Sequence, residues 1–132
     1  MSTRSTIGVV HADGTVSSIY CHWDGYLEHN GSKLLNFYHR QDQVEELIAL
    51  GDLSVLGDDI VKCEAYCRDR GEDKDSTSAV RYKSIAIYKD NLETKEYNYL
   101  YANGKWYWAI ENAPDPFLSA ELTQQQTQYD CN

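Results

Sequence analysis

The spacing of apolar positions changes along the chain. Near the N-terminus it is close to two. Ile7-Gly8-Val9-Val10-His11 and the run from Thr15 to His22 flank Asp13-Gly14. Asp-Gly is a preferred two-residue hairpin turn because both positions take positive φ. That register sets His11 opposite Val16, Val9 opposite Ser18 and Ile7 opposite Tyr20, with Val10, Ile19, Cys21 and Trp23 on the other side. A second hairpin is predicted from Glu96-Tyr97-Asn98-Tyr99-Leu100-Tyr101 and Lys105-Trp106-Tyr107-Trp108-Ala109-Ile110 around Asn103-Gly104. Counting outward from that turn pairs Tyr101 with Trp106, Tyr99 with Trp108 and Tyr97 with Ile110 on one face. Cross-strand aromatic pairs add a few tenths to about 1 kcal/mol each. The opposite face carries Glu96, Asn98, Leu100, Tyr107 and Ala109 and is more polar.

Between the hairpins the spacing becomes helical. Asp42 reads as an N-cap with Glu45 three places on, Val44, Leu47 and Ile48 follow, and Gly51 supplies the stop. A short helix is expected from Ser32 to His39, after Asn30-Gly31. Residues 79–92 fit a helix through Val80, Ser84, Ile87 and Tyr88, and a strand through alternation at Ile85 to Tyr88. The solvent-type flanks Lys83, Lys89, Asp90 and Glu93 favour the helix. A last helix is expected from about Leu118 to Gln126, after Pro114 and Pro116. Arg68 to Ser78 reads as a surface loop, and the tail from about residue 124 as frayed. The expected fold is α+β: one domain over residues 1–132, with a four-stranded antiparallel sheet of two hairpins and helices on one face. The aromatic face of the second hairpin is its natural core side.

The chain's 132 residues suffice for one domain, and 21 acidic residues against 12 basic give a net charge of −9. A duplex-DNA binder needs surplus cations, so that role is disfavoured. No apolar run approaches a membrane span, and the N-terminus lacks the apolar stretch of a signal peptide. The expected location is a cytoplasm, a reducing compartment in which Cys21, Cys63, Cys67 and Cys131 stay thiols. Cys21-His22 with Cys63 and Cys67 would supply four soft ligands. Structural zinc sites, however, usually place two close cysteine pairs in tight turns, and here there is one pair. Small, partly buried thiols are the simpler reading, and neither a metal nor a cofactor is expected.

Several segments together resemble a family of small uncharacterised proteins of tailed bacteriophages and prophages. They are Thr3-Arg4-Ser5-Thr6-Ile7, the run YCHWDGY from Tyr20 to Tyr26, His29-Asn30-Gly31, Gly51-Asp52-Leu53-Ser54, RDRGE from Arg68 to Glu72, and Tyr99-Leu100-Tyr101 with Gly104-Lys105-Trp106-Tyr107. The resemblance runs from Thr3 to about Ile110, with a shorter stretch here between Leu56 and Tyr66. It implies phage origin and the cytoplasm of a bacterial host. It carries over no activity. By class, such a protein acts by binding a host protein, a nuclease complex or a nucleotide signal of antiviral immunity.

Two segments have residues suited to ligand recognition. In His22-Trp23-Asp24-Gly25-Tyr26, Trp23 and Tyr26 offer stacking faces, and Asp24 accepts hydrogen bonds from a base edge or ribose. The plainer reading makes Trp23 a plug on the sheet edge and Asp24-Gly25 a turn. In RDRGE, Asp69 can hold Arg68 and Arg70 so that their forks face a phosphate, and the plainer reading is a loop of weak ion pairs. The expectation joins the two segments. Arg68 and Arg70 lie within reach of Trp23 and Asp24, placing a base on the ring, ribose on Asp24 and phosphate on the guanidiniums. The aromatic stripe from Tyr97 to Trp108 reads as core, with an open stacking platform as the alternative.

These features favour non-catalytic capture of a small nucleotide-like host immune signal, a cyclic or ADP-ribose type among them. The site lies at the sheet end or between protomers of a homo-oligomer. The alternative is a protein–protein inhibitor of a host defence complex, a nucleic-acid mimic drawing on Glu45, Glu46, Asp52, Asp58, Asp59, Glu72, Asp73 and Asp75. A small hydrolase-type enzyme ranks third. Cys21 and His22 are neighbours on a strand and point to opposite faces, which argues against a dyad.

Overall fold

The computed structural model describes residues 2–113 and 120–128. Fourteen elements follow in chain order. They are β1 (Ser5–Val10), β2 (Val16–Cys21), α1 (Ser32–Phe37), α2 (Gln41–Ala49), β3 (Leu53–Val55), β4 (Glu64–Ala65), α3 (Tyr66–Arg70), α4 (Lys74–Thr77), β5 (Val80–Tyr82), α5 (Ile85–Asn91), β6 (Tyr97–Ala102), β7 (Lys105–Ile110), β8 (Ala120–Glu121) and α6 (Gln124–Thr127). A wide helical turn, Leu27–Gly31, leads into α1. The class is α+β, but among the described residues the sheet has eight strands and is mixed. Its order is β4-β3-β2-β1-β6-β7-β8, and β5 pairs with β2.

The two hairpins are present, and they meet in parallel. β1 lies beside β6, with Ser5 opposite Tyr97 and Val9 opposite Tyr101. The outer edge of β2 is shared: Val16–Ser18 pair with β5, and Cys21 pairs with Leu53 of β3. The expected four-stranded antiparallel sheet is thereby corrected, because both hairpins recruit further strands and join through a parallel contact.

The second hairpin has the expected register, Tyr101 to Trp106, Tyr99 to Trp108 and Tyr97 to Ile110. Asn103 and Gly104 both take positive φ (52° and 80°), as a tight primed turn requires. The first hairpin is displaced by one residue from the expectation: Val10 faces Val16, Val9 faces Ser17 and Ile7 faces Ile19. Only Gly14 has positive φ (86°), and its N–H donates to the His11 carbonyl. The loop therefore has three residues, Ala12-Asp13-Gly14, with Gly14 in the left-handed position. Asp13 stays at negative φ, and its carboxylate accepts the Thr15 N–H and hydroxyl at 3.0 and 2.6 Å. A one-residue shift exchanges faces, so Ile19 and Cys21 join Ile7 and Val9.

Helices cover both faces, which corrects the one-sided expectation. On the first face Leu34, Tyr38, Val44, Leu47 and Ile48 pack over Ile7, Val9, Tyr99, Tyr101 and Trp106. On the second, Tyr88 of α5 packs with Val16, Leu100 and Ala109. The face of the second hairpin read as polar is thus a second, smaller core. Residues 79–92 hold both a strand and a helix, and α5 opens where the Ser84 hydroxyl accepts the Ile87 N–H. α2 begins earlier than expected, with Arg40 at the cap, and the Gln43 side chain accepts the N–H groups of His39 and Arg40. The stretch from Arg68 to Ser78 is exposed but contains α4 and the end of α3. Thr77 is buried there, its hydroxyl donating to the Asp73 carbonyl. Gln124–Thr127, expected within a frayed tail, form a helical turn with Thr127 buried. Pro114, Pro116, Leu118 and Cys131 lie outside the described residues. Among the described residues no helix is long and apolar enough to cross a membrane.

Candidate functional site

At the C-terminal end of β2 the chain runs on beside β3. His22 N–H donates to the Leu53 carbonyl and Trp23 N–H to the Ser54 carbonyl. The Ser54 hydroxyl accepts a hydrogen bond from Arg70 Nη2 at 3.1 Å. Trp23 and Arg70, from the two segments singled out in the sequence, thus meet at one serine. Trp23 is 41% exposed, and His22 packs against it edge to face at 4.8 Å between centroids. Arg70 is also ion-paired with Glu64 and lies over the Tyr66 ring at 5.0 Å.

The other predicted site residues go elsewhere. Arg68 is turned into the adjoining loop, donating to the Ile60 and Cys63 carbonyls at 2.7 Å each and to the Asp69 carboxylate. Asp69 also accepts the Ala65 N–H, and the Arg68 contact comes first among the causes that hold its carboxyl below the usual range. Arg68 and Asp69 brace α3 against residues 60–65. Asp24 takes positive φ (57°) and lies 3.9 Å from His29, whose ring is 6.0 Å from that of Tyr26. Behind them the buried Tyr99 hydroxyl donates to the Gly25 carbonyl at 2.6 Å, and Gly25 N–H donates to Thr3. A side chain at Gly25 would press on the backbone of Thr3 and Arg4, so this turn is a close backbone crossing.

A cavity of about 640 Å³ opens on the second face of the sheet beside this region. Its size is that of a small-molecule site. The sheet is low here because β1 and β2 present Thr6 and Ser18 instead of branched apolar side chains. Tyr82, Val80 and Leu92 form apolar walls, and Tyr20, Asp52, Glu93 and Lys95 provide the polar ones. The Tyr20 hydroxyl is 2.5 Å from His22 Nδ1, which links the cavity to the Trp23–Arg70 end. Tyr66 makes a second link: its N–H donates to the Asp52 carbonyl, while its ring lies under Arg70.

Asp52 accepts the Tyr20 N–H through Oδ1 at 2.9 Å, and its other oxygen has no partner among the described residues. Partial burial raises its pKa above the ordinary 3.8, against the lowering effect of that N–H. Burial likewise raises Tyr20 and Tyr82, with Glu93 adding to the shift at Tyr82. Lys95 Nζ lies 5.7 Å from the Tyr20 ring centroid. Its backbone is held by the fully buried Asn98, whose amide accepts the Lys95 N–H at 2.9 Å and donates to the Lys95 carbonyl at 2.8 Å. Thr6 donates to the same Asn98 oxygen at 2.9 Å across the parallel join. Tyr20, Lys95 and Asn98 are not among the candidate site residues read from the sequence, and Asp52 enters there only as one of the mimicry acids.

A pH effect follows from Asp52. Its folded-state pKa exceeds its unfolded one, so ionisation costs stability as pH rises from about 3.8 through the raised value. Asp52→Asn keeps an oxygen for the Tyr20 N–H and removes that ionisation. Thermal melts are expected to show the variant gaining on the parent between about pH 3 and about pH 7. An advantage that is the same at both pH values would contradict the assignment.

The remaining candidate chemistry is structural in character. Cys21 is buried, and desolvation pushes its thiol up to about 11, so it is protonated and a poor nucleophile at neutral pH. Cys63 is buried and accepts the Gly57 N–H at 3.2 Å. No group of three His, Cys, Asp or Glu that could hold a metal occurs among the described residues. Of the acids considered for mimicry, Glu45 bonds His11 and Asp58 bonds Lys33, both at 2.6 Å. Comparison of the chain with family models, with curated proteins and with solved structures finds no match in any of the three.

Proposed function

We propose that this chain is a phage-type accessory protein that acts by non-catalytic binding, capturing a small nucleotide-like molecule of a host immune pathway. The phage assignment rests on the resemblance at YCHWDGY and RDRGE. The binding assignment rests on the cavity, with its tyrosine walls, a half-buried carboxylate and the Lys95 ammonium near the Tyr20 ring. Tyrosine faces suit a planar base, and carboxylate lone pairs suit base or ribose donors. One observation favours binding over reaction: Cys21 is buried, and that desolvation disfavours its thiolate.

Calorimetric titration with nucleosides, mononucleotides, cyclic nucleotides and ADP-ribose-type compounds tests the proposal. At least one is expected to bind one-to-one and to be recovered chemically unchanged. Absence of heat across the set would refute capture, and turnover of the bound compound would refute its non-catalytic character.

A further inference from the structure

Building on the cavity as a nucleotide-type site, we propose that the heterocycle it captures presents two adjacent N–H donors beside a carbonyl, the edge that guanine has and adenine lacks. The inference comes from how acceptor and donor are disposed about Tyr20. Asp52 uses one oxygen on the Tyr20 N–H and has the other without a partner among the described residues. An ionised carboxylate has about four lone-pair sites and no donor, so what it offers the cavity is acceptance alone. Glu93 adds a second acceptor on the wall. On the ring side of Tyr20 stands Lys95, a pure donor that makes no ion pair with a described residue. Asn98 clamps its backbone at both N–H and C=O, so the root of its side chain is set before any ligand arrives.

An edge of donor, donor, acceptor complements that set of groups. Two N–H groups meet the Asp52 carboxylate, and the carbonyl meets the Lys95 ammonium. Adenine sets an amino group beside a bare ring nitrogen, whose lone pair would face the carboxylate. The charges also speak against phosphate as the main handle. Two carboxylates oppose one ammonium among the lining residues, Arg68 is spent on backbone carbonyls, and Arg70 is paired with Glu64. Recognition therefore falls on the base, with Tyr82 available as a stacking wall.

The test compares guanosine, inosine, adenosine and guanosine 5′-monophosphate by calorimetry on the full chain. Guanosine is expected to bind best, and inosine, which lacks the 2-amino donor, about tenfold or more weaker. The 5′-phosphate is expected to add less than about threefold. Asp52→Asn replaces two acceptors by one acceptor and one donor, so it is expected to lose guanosine about tenfold and to shift preference toward adenosine. Lys95→Met is expected to weaken guanosine without that shift, and it serves as the deciding variant if Asp52→Asn fails to fold by circular dichroism. Equal binding of guanosine and inosine, or tighter binding of adenosine, would overturn the base assignment while leaving nucleotide capture intact. Binding of none of the four, with another nucleotide bound, would overturn it as well. Failure of every nucleotide would instead remove the reading on which it rests.

Discussion

Replacing Trp106 by alanine is expected to lower the free energy of unfolding by about 3–5 kcal/mol, the range for removing a buried tryptophan. The ring is 3% exposed on the first face of the sheet and meets Tyr101 edge to face at 5.2 Å. Its Nε1–H donates to the Tyr38 carbonyl at 2.9 Å, and the Tyr101 hydroxyl donates to the next carbonyl, His39, at 2.6 Å. Together the two rings fasten β6 and β7 to the link between α1 and α2. Alanine would leave a cavity and an orphaned carbonyl at once, two costs that add. Trp106→Phe keeps most of the packing and loses the donor, so a cost of about 1–2 kcal/mol is expected. Urea unfolding with an unchanged slope would measure both, and an alanine variant within about 1 kcal/mol of the parent would contradict this account.

Gly51→Ala is expected to cost about 2–4 kcal/mol, the sum of a backbone penalty and a steric one. Gly51 ends α2 at φ 78°, and a left-handed backbone costs an L-residue roughly 1–2 kcal/mol. The added methyl would also run into the Thr77 carbonyl oxygen. That oxygen cannot yield freely, because it accepts the Asp52 N–H at 2.7 Å and Thr77 is buried. Gly71 provides the comparison. It has φ 69°, and a methyl carbon added there would meet nothing within 4 Å, so Gly71→Ala carries the conformational cost alone. Equal destabilisation at the two glycines, read by chemical denaturation, would show that Thr77 gives way. Because Asp52 follows Gly51 directly, the same substitution is expected to displace the carboxylate and weaken whatever the cavity holds.

The two hairpins show what local sequence can and cannot specify. Asn103-Gly104 admits a two-residue turn with both residues at positive φ, and the aromatic pairing follows from it. Asp13-Gly14 is chemically similar, yet Asp13 caps Thr15 from negative φ, which lengthens the loop by one residue. The dipeptide is compatible with both loops, so the register is ambiguous at the level of the turn. The parallel contact of β1 with β6 has no local signal at all, since nothing in either strand names its partner. The second core under α5 is hard to foresee because Leu100, Tyr107 and Ala109 look sparse beside the aromatic face.

The site is legible only where one residue type carries an obvious chemistry. Trp23 and Arg70 stand out, and both flank Ser54. Arg68 stands out equally, but it is taken up by backbone carbonyls of the neighbouring loop. Tyr20, Asp52 and Lys95 come from three distant segments, and each has an ordinary local reading as strand, helix exit or hairpin lead-in. Only the fold brings them to one cavity. Asn98 gives a faint signal, as an amide in an otherwise apolar strand, which a buried position can tolerate only when its hydrogen bonds are met.

The parallel junction at the centre of the sheet also orders events in time. Thr6 and Asn98, bonded across it, are 92 residues apart. The N-terminal hairpin therefore leaves the ribosome long before the strand that will flank it exists. Until residues 97–102 emerge, the open edge of β1 has no neighbour and Thr6 no amide to meet. Closing so long a loop is entropically costly and slow beside hairpin formation. The C-terminal hairpin is short-range and can form as soon as it is made. Docking of the two hairpins then makes the longest-range contact of this region, and it brings Thr6 to the Asn98 amide that holds Lys95. A nascent chain halted before residue 97 would expose its apolar β1 edge, the condition in which chaperones are most needed.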